Sequence, residues 1–540
     1  METKKNDYMN IPADRFEPAV RDEKIFDKKF ESKPIGYFKD AMIRFAKNKS
    51  SLVAAFIIAI LLLFAIIVPF FSKYSVDAKS KENDSAYAQV LPKSTLFAWA
   101  GWDGCKKDKK TQGGYDYLNS IGQEVYTLND EGERVANEDA MAIKKVYGSF
   151  IDELTGEKFY NVYVDSYAKV GFMFKDLSEA EYKALQAYQN ETGIQVMYPI
   201  PATYKTNFSA VSSANVWYKL ANEVETSTGE AAEHDEDGNP IYEANYRTKE
   251  NKNAADYDSL RISDEPEADG KWAVYAVKNQ SGYKVRVLYS EYYYYERYVE
   301  SGNVKGFYPY HLFGTNQFGQ DIFVCLASGA RLSFILAFSV SAINFIIGIA
   351  YGSIEGYYGG AIDLILERVS DILSSVPFVV VATLFNLHLA DRVGPLVSLL
   401  FAFVLTGWTG IAYRVRTQFY RFKGSEYVLA ARTLGASDSR LIFRHILPNS
   451  LGTIITATIL IIPGVIFSES MLSYLNIIDL QTSGMTSIGT MLSGGNALLS
   501  TYPHIIFFPA LFIALLEISF NLFGNGLRDA FNPSLRGADE

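Results

Sequence analysis

Six apolar runs limit what this chain can fold into. The first is "SLVAAFIIAILLLFAIIVPFF" at 51–71, and the others fall at about 331–352, 362–387, 394–413, 451–473 and 503–525. Each is near or above the roughly 18–20 residues a helix needs to cross the hydrocarbon core of a bilayer. The reading is an all-α polytopic membrane protein with six spans. The third run, "IDLILERVSDILSSVPFVVVATLFNL", is the least apolar, with four charges in its first half. Some 50 residues precede the first run and no small-residue cleavage site follows it, so it reads as an anchor and not as a secretory signal.

Cations close to the spans set the expected orientation. Lys33, Lys39, Arg44, Lys47 and Lys49 stand before the first run against Asp40. The loop after the fourth run carries Arg414, Arg416, Arg421, Lys423, Arg432, Arg440 and Arg444 against Glu426 and Asp438. An N-terminus and a fourth loop on the cytoplasmic side agree with a six-span count.

Residues 73–311 are a different kind of sequence. They hold 38 Asp and Glu against 27 Lys and Arg, and 27 of the 37 tyrosines. At roughly 240 residues the segment is long enough to build its own core, and by the topology it lies outside. "KFYNVYVDSY" and "KWAVYAVKNQSGYKVRVLYSEYYYY" alternate as strands do, the second stretch with a turn at Asn279–Gly282. "SEAEYKALQAYQNETG" reads as a helix with Ser178 and Glu181 as a capping box and Gly193 as its stop. An α+β extracellular domain is expected, with 224–240 ("ETSTGEAAEHDEDGNP") as a solvated loop.

Several kinds of chemistry are missing from the sequence. There is no G-x-x-x-x-G-K-[ST], H-E-x-x-H, C-x-x-C or G-x-S-x-G pattern. The run Glu233–Asp237 with Gly238 only approximates a calcium loop, because the twelfth ligand would be Ala244; no metal is assigned. Cys105 and Cys325 read as two unpaired thiols.

The most informative short stretch is "EYVLAARTLGASDSRLIFRHILPN" at 426–449. It predicts a helix to about Leu434, a break at Gly435 and a second helix capped by Ser437 or Asp438, ended by Pro448 and Asn449 just before the fifth run. Small side chains at Ala430, Ala431 and Gly435 let another backbone approach closely.

This pattern resembles the coupling loop of ABC-importer permeases, which engages the ATPase subunit. Ala430, Ala431, Gly435, His445, Ile446, Leu447, Pro448 and Asn449 match, while Leu429 stands where that family has Glu and Glu426 lies one turn earlier. "FGTNQFGQDIFVCLASGARLSF" resembles the run ahead of the second span in the oligopeptide and dipeptide permeases, C-type (OppC-like) subunit. Gly314, Thr315, Gly319, Asp321, Gly329, Ala330 and Arg331 match, and Asn316 and Gln320 replace the usual Asp and Arg. "GYYGGAIDLILERVSDILSSVP" and "FNLFGNGLRDAFNPSLRG" are similar to it as well. The resemblance covers 33–72 loosely and 312–537 closely, and it leaves the 73–311 insertion unexplained.

The resemblance implies a six-span type I importer permease fold. Its parts would be a cytoplasmic tail 1–50, a first span 51–72, the insertion, a permease core 312–527 with coupling loop 414–450, and a cytoplasmic tail 528–540. It implies a non-catalytic plasma-membrane subunit among lipids, paired with a second permease, two ATPases that use ATP and Mg, and an extracellular peptide-binding protein. No cofactor and no nucleic acid is expected on this chain.

Glu517 near the middle of the sixth run must face protein or water, since a lipid-facing carboxylate costs at least about 2.5–3.5 kcal/mol; a translocation path or a buried hydrogen bond both satisfy this. Glu469 and Asn344 are candidates of the same kind. Asp363, Glu367 and Asp371 share one face beside Arg368 and read as a solvated cytoplasmic mouth. The insertion is expected to dock the binding protein or form a vestibule. The alternatives are permeases for dipeptides, nickel chelates or other small solutes and, in another class, a membrane-anchored receptor or sensor.

Overall fold

The structure is a computed structural model that describes residues 37–72, 74, 76, 85–121, 125–128, 134–198, 214–215, 258–259, 276–279, 282–301, 310–478, 480 and 484–531. The expected loop 224–240 and the calcium-like run within it lie outside these residues. Among the described residues, five helices are long and apolar enough to cross a membrane: Lys49–Phe71, Ile322–Tyr358, Pro395–Phe422, Asp438–Tyr474 and His504–Phe531. A sixth crossing exists if the pair Gly360–Ser375 and Phe378–Val393, bent by 76°, counts as one. The run with the most charge is thus the broken span, and the break falls at Pro377, which has no N–H to carry the ladder across.

Asn48 caps the first span by accepting from Ser51 N at 3.3 Å. Only one stripe of that span is buried, Ala54, Ile58, Leu61 and Ala65, at the spacing of a single helix face. Phe56 and Leu63 on the other faces are exposed, as befits a peripheral helix against lipid. The amphipathic helix Tyr37–Lys47 before it packs Ala41 and Phe45 on Leu527, Ala530 and Phe531 at the end of the sixth span.

The second and fifth spans, 37 residues each, extend far past their apolar runs. The second starts at Ile322, capped by Asp321, whose Oδ1 accepts from Val324 N at 2.9 Å. Its 37 residues make it roughly 55 Å long against a hydrocarbon core of about 30 Å, so both ends leave the apolar layer. The fifth is continuous from Asp438 to Tyr474. Contrary to the expectation that Pro448 ends the segment before it, the helix runs on, because a wide π-type turn at Leu441–Ile446 absorbs the missing donor: Leu447 N bonds Ile442 O.

The second and fourth spans pack along a glycine stripe. A methyl at Gly352 would lie 2.3 Å from Ala412 O, one at Gly348 2.7 Å from Ile411, and one at Gly356 2.6 Å from Phe419. The close backbone approach is what small residues every fourth position permit in membrane helices.

Between the first two spans the chain builds antiparallel sheets. Cys105–Thr111, Lys158–Asp165 and Ile143–Ile151 form one, with Lys158–Asp165 in the middle. Phe172–Leu177, Gly282–Leu288, Ala276–Asn279 and Asp258–Ser259 follow one another in a second, where Met197–Tyr198 also pairs Gly282–Leu288. Asn279 and Gly282 face each other across the expected turn. Helix Glu179–Thr192 has the expected capping box, and Gly193 ends it at φ +70°.

The tyrosine run after Leu288 is not strand, as alternation suggested, but helix, Tyr289–Ser301. Tyr289, Tyr292 and Tyr293 are buried, at the i, i+3, i+4 spacing of a helix face, packing with Val285, Val287 and Leu185. Six tyrosines in the ten residues 289–298 fit either period, and burial decided.

Candidate functional site

The coupling candidate 426–449 is a short helix standing on a buried foot. Helix Glu426–Thr433 buries Val428 among Leu441, Ile442, Ile446 and Phe419. Tyr357 at the end of the second span donates to Asp438 at 2.5 Å, tying this foot to another span. The outer side is open: Glu426, Leu429 and Ala430 are exposed, Ala431 is half-buried, and Leu434 is 88% exposed. Gly435 takes φ +83°, a conformation glycine adopts at no steric cost. Its N–H bonds Arg432 O and that of Ala436 bonds Ala431 O, closing the helix end as left-handed glycine caps do.

The matched tail divides by role. Ile446 is buried and Leu447 half-buried, while Pro448 and Asn449 are exposed. Asn449 Nδ2 donates to His445 O at 2.9 Å and to the Tyr427 hydroxyl at 3.2 Å, so it links the start of the fifth span back to the short helix. Leu429, in place of the family's Glu, makes the outer face more apolar, and Glu426 sits three residues before it on the same face.

The intramembrane candidates separate. Glu469 is fully buried; its carboxylate accepts from Ser333 at 2.8 Å, Ser473 at 3.1 Å and Ser470 at 3.4 Å. It joins the second and fifth spans through hydroxyls. Asn344 is also buried, its Nδ2 3.5 Å from Phe403 O and filling the space over Gly407. Glu517 is half-buried, and its Oε1 has no hydrogen-bond partner among the described residues.

Asp363 and Glu367 do not turn to Arg368. Both bind Arg416 of the fourth span, with Nε–Oδ1 at 2.6 Å and Nη1–Oε1 at 3.0 Å, and Arg368 instead pairs Asp371 at 3.0 Å. The inner part of the expected mouth is thus an ion-pair cluster on Arg416, while the Arg368 and Asp371 side chains, 68% and 56% exposed, stay open.

The motif ahead of the second span is the seam between insertion and spans. Thr315 Oγ1 donates to Tyr87 O at 2.5 Å and accepts from Val90 N at 3.0 Å. His311 Nδ1 lies 2.8 Å from Asp321 Oδ2, and Lys93 N bonds His311 O at 3.1 Å. Asn316 Nδ2 donates to Gln320 Oε1 at 2.7 Å, and Gln320 Nε2 to Val76 O at 2.6 Å. The two departures from the family pattern are thus neutral partners of each other, an amide pair where the motif has opposite charges. A methyl on Gly314 would meet Val90 O at 2.4 Å. Sequence reading missed the glycine stripe and this seam. The spacing of Gly348, Gly352 and Gly356 was the available signal for the first; nothing local signalled the second, whose partners lie over 200 residues apart.

Residues 327–537 match the family of binding-protein-dependent transport system inner membrane components, and 36–92 match the N-terminal transmembrane domain of oligopeptide transport permease C. The chain is 42% identical over 226 residues to the oligopeptide transport system permease protein OppC of Bacillus subtilis, an overlap covering 42% of this chain and 72% of that one. With the dipeptide transport system permease protein DppC of the same organism it shares 39% over 227 residues, covering 42% and 69%. The inward-facing MetNI methionine ABC transporter is 14% identical with a TM-score of 0.30, covering 38% of this chain and 96% of that one. On the family matches and the curated identities, the chain belongs to the binding-protein-dependent transport permeases, and within them to the OppC-like oligopeptide and dipeptide permeases. It is a multi-pass membrane subunit, and permease subunits of this kind are non-catalytic, the ATPase being a separate chain.

Proposed function

We propose that this chain is one of two permease subunits, forming half of the translocation path, in an ATP-driven importer of oligopeptides, and that segment 426–449 couples it to an ATPase subunit. The observation that carries this is the exposed face Leu429–Ala430–Leu434–Gly435 on a helix whose opposite side, Val428, is fixed in the spans. An apolar, small-residue surface held rigidly at a span end is suited to docking in a cleft and passing on its motion.

The loop cations support cytoplasmic termini and an extracellular α+β insertion, 73–311. The partners are a second, different permease, two ATPases using ATP and Mg, and an extracellular peptide-binding protein that the insertion docks or shelters. Glu517 faces the translocation path, its unpartnered oxygen lying where a second permease or solute completes it. Glu469 and Asn344, buried within the chain, hold the spans that frame that path.

The test is affinity purification of the chain from its native membrane, with mass spectrometry of its companions, repeated with Leu434→Glu. Leu434 is 88% exposed, so the variant folds. Co-purification of a second permease and two ATPases, with the ATPases lost from the variant, is the expected result. A chain that purifies alone, or a variant that keeps the ATPases, overturns the coupling assignment. Uptake of labelled oligopeptides against dipeptides by the assembled complex decides the substrate.

A further inference from the structure

Early in the insertion, between the first span's end at Phe71 and the first sheet, stand nine residues without a charge, "STLFAWAGW" at 94–102. They form a closed loop: Ser94 N bonds Trp102 O at 2.9 Å, Trp102 N bonds Phe97 O at 3.3 Å, and Ala100 N bonds Phe97 O at 2.9 Å. Gly101 turns the chain at φ +91°. The tip is apolar and uncovered, with Leu96 76%, Phe97 43% and Trp99 85% exposed. A water-facing loop gains nothing from such a tip, whereas contiguous exposed apolar surface marks a contact.

The root of the loop shows what that contact is. Phe97 meets Trp102 edge-on at 5.3 Å, and Trp102 meets Phe508 at 6.0 Å and Phe313 at 5.9 Å. Phe313 stacks on Phe508 at 3.9 Å and touches Phe323, which touches Phe64. Phe508 is in the second turn of the sixth span and Phe323 in the first turn of the second. Lys106, just past the loop, lies 4.4 Å from the Tyr502 ring at the entrance to the sixth span. The loop is therefore rooted at the level where the spans leave the apolar layer, and aromatic rings are favoured at that level because they present an apolar body and a polar edge.

We propose that loop 94–102 is a membrane-interface anchor, with Leu96, Phe97 and Trp99 seated among lipid headgroups and upper acyl chains. It tethers the insertion to the bilayer surface and holds its sheets at a set height over the span ends. The inference stands whatever solute crosses, since it needs only the membrane location of the spans.

The test reconstitutes the full chain with its co-purifying subunits in lipid nanodiscs of phosphatidylcholine brominated either high on the acyl chain or near its end. The Trp99 emission is isolated as the difference between the native chain and Trp99→Phe. Excess quenching of this difference by the shallow bromines, with protection from aqueous iodide, is expected. Quenching by iodide in place of bromine puts the tip in water and overturns the proposal. Protection from both puts it under another protein subunit and overturns it equally. Retained co-purification of the subunits with Trp99→Phe shows that the difference reports position and not misfolding.

Discussion

Arg416 grips Asp363 with two nitrogens, Nε to Oδ1 at 2.6 Å and Nη2 to Oδ2 at 2.9 Å. The same guanidinium reaches Glu367 at 3.0 Å and lies 3.6 Å from Glu355, while the Tyr420 hydroxyl donates to Asp363 at 2.6 Å. One cation of the fourth span thus holds carboxylates of the second and third. Side-chain exposures of 18% and 12% for Arg416 and Asp363 shield the pair from most screening. Lysine keeps the charge but not the fork. Arg416→Lys is expected to cost about 1–3 kcal/mol and Arg416→Ala somewhat more, since three carboxylates then face one another. The check is the unfolding midpoint in detergent, read by a thiol dye that reaches the buried Cys325 only on unfolding. An unchanged midpoint for Arg416→Ala means the cluster is not structural.

The glycine stripe makes a second claim of the same kind. Gly352→Ala puts a methyl 2.3 Å from Ala412 O, which only separation of two helix backbones relieves. A loss of about 1–3 kcal/mol is expected, typical of overpacking. Gly464→Ala in the fifth span is the control: nothing lies within 4 Å of the added methyl, and the helix gains up to about 1 kcal/mol in propensity. Equal effects for the two substitutions overturn the close-packing account.

How much of this was readable without coordinates depended on range. Five of the six expected spans and the helix–break–helix form of 426–449 were legible because lipid demands long apolar runs and because Gly435 acts locally. The capping box at Ser178 and Glu181 was legible for the same reason. The tyrosine helix Tyr289–Ser301 was misread, because periodicity alone does not separate helix from strand in so uniform a run. The Arg416 cluster was half legible: Asp363 and Glu367 fall on one face, but their cation comes from another span 49 to 53 residues on. The continuity of the fifth span through Pro448 was hidden, since a proline reads as a stop until a wide turn is seen to absorb it.

Cys105 carries a pH-dependent expectation. Burial, and then the nearby carboxylates of Asp165 and Asp103, push its thiol up to about 12. The folded state therefore favours the neutral thiol. That contribution to stability is complete below the ordinary thiol value of about 8.5 and is lost as pH rises from there towards 12. Because the thiolate is the nucleophile, alkylation by iodoacetamide at pH 8 is expected to be at least about 100-fold slower than for a free thiol. Mass spectrometry of the labelled peptide against time checks this in the native chain. A rate matching that of a free thiol shows that the site is not shielded.

Glu469 and Glu517 are both carboxylates inside spans, yet their surroundings differ. Glu469 is ringed by Ser333, Ser470 and Ser473, and hydroxyls can rotate to serve either an acid or an amide. Glu469→Gln is expected to cost about 1 kcal/mol, whereas Glu469→Leu strands buried hydroxyls at about 1–3 kcal/mol. Because its carboxylate is enclosed by hydroxyls of its own spans, complexes that assemble with Glu469→Gln are expected to transport with native KM and kcat. Glu517 has an oxygen without a partner among the described residues, so Glu517→Gln leaves the unfolding midpoint near native and alters transport. Uptake rates normalised to assembled complex, beside the two midpoints, separate these cases. If Glu469→Gln slows transport at native stability while Glu517→Gln and Glu517→Ala leave uptake and assembly intact, the path runs past Glu469 and the assignment of Glu517 fails.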